Sequence, residues 1–123
     1  MSVLSLPNGI IITGSQDKSI RLWYRGEQQK EIANAHDDII RAFTEVPGLG
    51  FASCSNDETV KLWSTDGELL QTFKGHQGFV FSVITLITGE IASAGDDCCV
   101  KIWQTDGTCK QTIMLPRTIW ALA

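Results

Sequence analysis

Apolar positions along this chain come in short alternating runs, each closed by Gly, Pro, Asn, Asp or Ser. Alternation marks half-buried strands, whereas an amphipathic helix would repeat its apolar face every three to four residues, and no such stripe is present. In residues 75–114 the pattern predicts strands over 80–86, 90–94, 99–103 and 109–113, with tight turns at 95–97 and 105–107. Subtracting 40 or 80 predicts the strands of two earlier units, except that the stretch between Trp23 and His36 falls one residue out of step at Gly26.

That subtraction works because the chain repeats. Trp23, Trp63 and Trp103 stand 40 apart, as do Asp17, Asp57 and Asp97, the hydroxyls Thr13, Ser53 and Ser93, and the pair His36 and His76. The texts ITGSQDKSIRLW, ASCSNDETVKLW and ASAGDDCCVKIW recur around these anchors. A fixed period of this length means stacked supersecondary units rather than one centred core. Four antiparallel strands per 40 residues is the pattern of a propeller blade, so the predicted fold is all-β, a fragment of three four-stranded blades. The units are 1–34, 35–74 and 75–114, with 115–123 opening a further blade.

These residues resemble the WD-repeat family of propellers. The likeness rests on Gly75-His76 (Ala35-His36 one unit earlier), the small residue in the second strand, the turn aspartate and the tryptophan that ends the third strand. The aspartate usual after that tryptophan is replaced by Tyr24, Ser64 and Gln104. The pattern has a physical meaning, because a blade has little core of its own and needs a polar tie. Asp57 can accept from the His36 ring, which contacts the Ser53 hydroxyl, which accepts from the Trp63 indole. Asp97, His76, Ser93 and Trp103 make a second set, and Thr13, Asp17 and Trp23 remain of a first. Such a buried chain stabilises when every member is satisfied and costs when one is lost. His, Ser and Asp are also the residue types of a nucleophilic triad, but an active site is needed once and a tie is needed in every blade. No enzyme is expected.

One junction narrows the likeness. In QTIMLPRTIWALA, Leu115-Pro116 and Ile119-Trp120 stand where an ordinary repeat would place Gly-His, and Phe79 to Ser82 reads FVFS in the strand before. This is similar to the family of the phospholipase-A-2-activating protein and its yeast ubiquitin-fusion-degradation homologue. The resemblance implies a ubiquitin-binding propeller of a cofactor of the ubiquitin-dependent AAA unfoldase, with the unfoldase docking site carried by downstream domains outside these residues. The alternative is a generic WD-repeat scaffold or adaptor in another complex. On a propeller, the loops entering the first strand share one face with the turns between second and third strands. The candidate partner face is therefore Gln16, Asp38, Arg41, Asn56, Gly78, Phe81, Asp96 and Trp120. Phe81 and Trp120 read equally well as packing between blades, and the polar members as ordinary turn residues.

Composition adds exclusions. The net charge of −4 and 10 Lys and Arg against 14 Asp and Glu supply no basic patch for nucleic acid. Arg41 and Arg117 are too few to argue a phosphate-binding face. No apolar run approaches the roughly 20 residues of a membrane span, and the expected place is the cytoplasm, with the nucleus open to it. Cys54, Cys98, Cys99 and Cys109 match neither a disulfide framework nor a zinc-ligand spacing, so reduced thiols, no metal and no cofactor are expected. Three units cannot close a ring that takes about 4 to 8 blades. Residues 2–6 and 119–123 both align within a first strand, so two copies are expected to pair head to tail as six blades, each 119–123 segment completing its neighbour's first blade.

Overall fold

The computed structural model describes residues 2–14 and 16–117, so Trp120 and the segment 119–123 lie outside the described residues. Among the described residues, twelve strands form three four-stranded antiparallel sheets. The first holds β1 (Ser2–Ser5), β2 (Ile10–Gly14), β3 (Ile20–Tyr24) and β4 (Glu27–Ile32), in that order. The second holds β5 (Ile40–Val46), β6 (Gly50–Ser55), β7 (Thr59–Ser64) and β8 (Leu69–Lys74). The third holds β9 (Val80–Thr85), β10 (Ile91–Gly95), β11 (Cys99–Trp103) and β12 (Cys109–Met114). The third strand of the third unit falls where the pattern predicts it, and the others shift by a residue at one or both ends. Leu86, expected in a strand, instead closes a turn, with its amide on the Glu90 carbonyl at 2.7 Å and its carbonyl accepting from Gly89 at 2.9 Å.

The turns between second and third strands are shaped by the repeated aspartate. Asp17, Asp57 and Asp97 each accept from the amide two residues on, at 3.1, 3.0 and 3.2 Å. The residue between is left-handed each time, with φ of 71° at Lys18, 75° at Glu58 and 61° at Cys98. A carboxylate that bonds its own backbone offsets the strain of a non-glycine residue there. Each third strand ends in a register shift immediately before its tryptophan, at Leu22/Trp23, Leu62/Trp63 and Ile102/Trp103. Bulges re-aim side chains, and here they accompany an indole directed back across its own sheet onto the second-strand hydroxyl.

The core lies between sheets. Ile12, Ile20 and Leu22 of the first pack against Ile40, Phe51 and Trp63 of the second. Val60, Leu62 and Phe73 of the second pack against Val83, Ile91 and Trp103 of the third, with Phe73 stacked on Trp103 at 5.3 Å. Cys54 sits fully buried in that second joint, and burial pushes its thiol up to about 12. The other cysteines are free, with Cys109 exposed on β12.

Candidate functional site

Two polar chains run through the second and third sheets in the same geometry. His36 Nδ1 lies 2.8 Å from Asp57 Oδ2 and its Nε2 2.7 Å from Ser53 Oγ, which accepts from Trp63 Nε1 at 2.9 Å. His76 Nδ1 lies 2.8 Å from Asp97 Oδ2 and its Nε2 2.7 Å from Ser93 Oγ, which accepts from Trp103 Nε1 at 2.8 Å. One proton arrangement satisfies every member: the indole donates to the hydroxyl, the hydroxyl to the ring, and the ring to the carboxylate. The carboxylates also take the amides of Asp37 and Gln77, which pins the loop entering each sheet. In the first sheet Trp23 donates to Thr13 at 3.0 Å, while Asp17 accepts from Ser19 and Arg21.

The electrostatics follow the geometry. Burial pushes the Asp57 carboxyl up, but hydrogen bonds from His36, Thr59 and Asp37 outweigh it and hold the group well below the usual carboxylate range. Asp97 is lowered in the same way, burial being outweighed by the Gln77 amide and His76. Burial lowers His76 in spite of Asp97, so its neutral ring is favoured. Ser53 and Ser93 are fully buried and each is engaged on both sides, which leaves no hydroxyl presented to a substrate. The trio that mimics a catalytic triad ties the entering loop to the second strand and to the turn after it, and the tryptophan extends the tie to the third strand.

The candidate partner face is brought together only in part. Arg41 is exposed at the start of β5, its Nε donates to Asn56 Oδ1 at 2.7 Å, and its guanidinium carbon lies 5.1 Å from the centre of the Phe81 ring in the next sheet. Phe81 meets Phe79 edge-on, with ring centres 6.2 Å apart and Phe79 exposed. Asn56 is buried, so it orients Arg41 rather than facing solvent. Asp38 is half-buried and bonds its own neighbour's amide at 2.7 Å. Gly78 packs beside Asp96, where an added Cβ would stand 3.3 Å from that of the aspartate. Gln16 stands exposed in the turn between β2 and β3, and Trp120 lies outside the described residues. Phe79 was missed as a face residue, although its place beside Phe81 in the FVFS run was the signal that could have found it. A planar cation on one aromatic ring, beside a second exposed ring, suits contact with a protein surface.

Comparison with known proteins agrees with the repeat. The profile of the family described as WD domain, G-beta repeat matches residues 1–24, 27–64 and 67–104. The crystal structure of the WD40 β-propeller domain of Doa1 matches with a TM-score of 0.86 and 37% identity, over 98% of this chain and 42% of that one. Two others share the fold at 21% identity: U3-55K, with a TM-score of 0.90 over 98% of this chain and 41% of that one, and the RRP9 WD40 repeats, with 0.90 over 98% and 40%. The chain thus spans about two fifths of the length of the structures it matches, 40 to 42%. The Doa1 likeness agrees with the narrower resemblance carried by the Leu115-Pro116 and Ile119-Trp120 junction. No curated protein matches the chain.

Proposed function

This chain belongs to the WD domain, G-beta repeat family, and we propose that it is a non-catalytic recognition module whose partner is ubiquitin. In this reading it serves ubiquitin-dependent protein degradation beside an AAA unfoldase, in the cytoplasm or nucleus. The observation that carries the reading is the cluster in which buried Asn56 holds Arg41 across Phe81, next to exposed Phe79. A preorganised arginine loses little side-chain entropy on binding, and exposed aromatics beside it offer the anchors that dominate protein interfaces. The family resemblance carried by the sequence junction, with which the likeness to the Doa1 propeller agrees, supports ubiquitin among protein partners.

Titration of isotope-labelled ubiquitin with this chain tests it. Saturable amide shifts confined to one apolar patch of ubiquitin are expected. Arg41→Ala and Phe79→Ala should each weaken binding by roughly tenfold or more while the melting temperature stays put. Absence of shifts at high concentration would remove ubiquitin and leave an adaptor for another protein.

A further inference from the structure

At the ends of the strands opposite the Arg41 cluster, a trough runs between the first and second sheets. Its outer lobe, a cavity of about 450 Å³, is floored by Ile10 and Leu22 and walled by the Tyr24 ring, Lys30 and the turn at Thr65 and Asp66. Its inner lobe, about 320 Å³, lies between the β1–β2 and β5–β6 turns, against Leu6, Pro7, Val46 and Leu49. Asn8 and Thr65 line both, so the lobes adjoin. The whole lining belongs to two sheets that pack on one another through Ile12, Leu22, Phe51 and Trp63. Volumes of this size admit side chains or small ligands, and apolar surface is open to them, with Leu49 41% and Tyr24 38% exposed.

The inner lobe belongs to the repeat, since a cavity of about 340 Å³ lined by Val46, Pro47, Thr88 and Thr105 stands at the next joint. The outer lobe is built by residues that depart from it. Tyr24 stands where the other sheets have Ser64 and Gln104, Asn8 where they have Gly48 and Thr88, and Lys30 where they have Gln71 and Gln111. The equivalent sheets form without these three residues, so the demands of the fold do not account for them.

Polar groups along the trough keep bonding capacity. Asn8 Oδ1 takes the Ile10 amide at 3.1 Å, which leaves the Asn8 NH2 to donate elsewhere. Among the described residues the hydroxyls of Tyr24 and Thr65 have no hydrogen-bond partner. In the third sheet the turn aspartate Asp106 accepts from the Thr108 amide at 2.9 Å, whereas in the second the Ser64 hydroxyl takes the matching Glu68 amide at 3.0 Å and frees Asp66. Charge is one-sided as well. Lys30 is engaged by the Asp66 carbonyl at 3.1 Å and by Glu68 at 3.5 Å, while the carboxylates of Asp66 and Glu45 meet no cation among the described residues.

We propose that this trough binds an extended segment of a partner protein that carries two apolar side chains separated by one residue, with Lys or Arg beside them. Alternate side chains of an extended chain fall on one side, about 7 Å apart, so one enters the outer lobe against Tyr24 and the next enters the inner lobe against Leu49. The backbone between them passes Asn8 and Thr65, whose donors suit its carbonyls, and the basic residues complement Glu45 and Asp66. The trough is separate from the Arg41 cluster and does not rest on the ubiquitin reading.

A phage-displayed library of random short peptides, selected on the immobilised chain and counter-selected on Tyr24→Ser, tests this. That variant carries the residue the second sheet has at the same place, and circular dichroism should show it folded. The surviving peptides should share two apolar residues separated by one, with Lys or Arg next to them. A synthetic copy of the most enriched peptide, titrated by fluorescence polarisation, should bind roughly tenfold or more weakly to Tyr24→Ser and to Leu49→Asp. Asp66→Asn should weaken it by roughly threefold, and added salt should weaken it on the unaltered chain. Arg41→Ala should bind it unchanged. The proposal is overturned if no peptide distinguishes the chain from Tyr24→Ser, if the shared sequence is acidic, or if binding survives Leu49→Asp or is lost with Arg41→Ala.

Discussion

The first and second sheets share strand order, turn aspartate and third-strand tryptophan, yet they are held differently. In the second, a fully buried histidine links carboxylate, hydroxyl and indole, and Trp63 is buried. In the first, no histidine reaches Thr13 among the described residues, Trp23 is half-buried, and Asp17 turns to Arg21 at the surface. The aspartate therefore has two separable roles. It shapes the turn in all three sheets, and in the second and third it also holds the entering loop through a histidine and a loop amide.

Replacing Asp57 with Ala should break the contrast most severely. It strands the ring proton of fully buried His36 and removes the acceptor of the Asp37 amide and the Thr59 hydroxyl. A loss of about 3 kcal/mol is expected. Calorimetry should then show a melting temperature lower by roughly 10 °C. An unchanged transition would refute the tie.

Acidification should act next, and in two stages. His76 is lowered from its ordinary 6.5, so the unfolded chain takes up that proton first, and stability falls as pH drops below 6.5. Asp57 and Asp97 are lowered from 3.8, so their contribution is full above that value and is lost as pH falls below it. Melting followed against pH should show both declines, and His76→Gln should remove the earlier one. A flat profile from pH 7 to 5 would count against a neutral, buried ring.

The tryptophans sharpen the contrast at lower amplitude. Trp63→Phe removes a buried donor from Ser53 and a stacked partner of Phe51, and should cost about 2 kcal/mol by denaturant unfolding. Trp23→Phe, at a half-buried indole, should cost under half as much. Smallest of all, Asp17→Ala should shift the melting temperature by about 3 °C, because it removes the turn bonds to Ser19 and a largely solvated ion pair but strands no histidine. Equal effects at positions 17 and 57 would erase the distinction between turn shaping and tying.

Much of this was legible as text. The period fixed which residues share a sheet, and the ties followed from bonding capacity, since a serine hydroxyl can take an indole proton and give its own to a ring. Contacts between sheets were not legible, because a repeat names equivalent positions and says nothing of which side chains meet across a joint. Arg41 over Phe81 is such a contact, as is Gln71 on the Asp106 turn. Asn56 read as a solvated turn residue because its burial comes from the loop that enters the sheet, whose carbonyl at Ile39 takes the Asn56 amide at 3.0 Å.

The thiol of Cys54 turns the joint between the second and third sheets into a clock. Alkylation needs a thiolate that a reagent can touch, and a sulfur raised to about 12 with no exposed surface offers neither until the sheets part. Its labelling at neutral pH therefore measures how often that seam opens, with Cys109 on the outer strand, modified at once, as the zero of time.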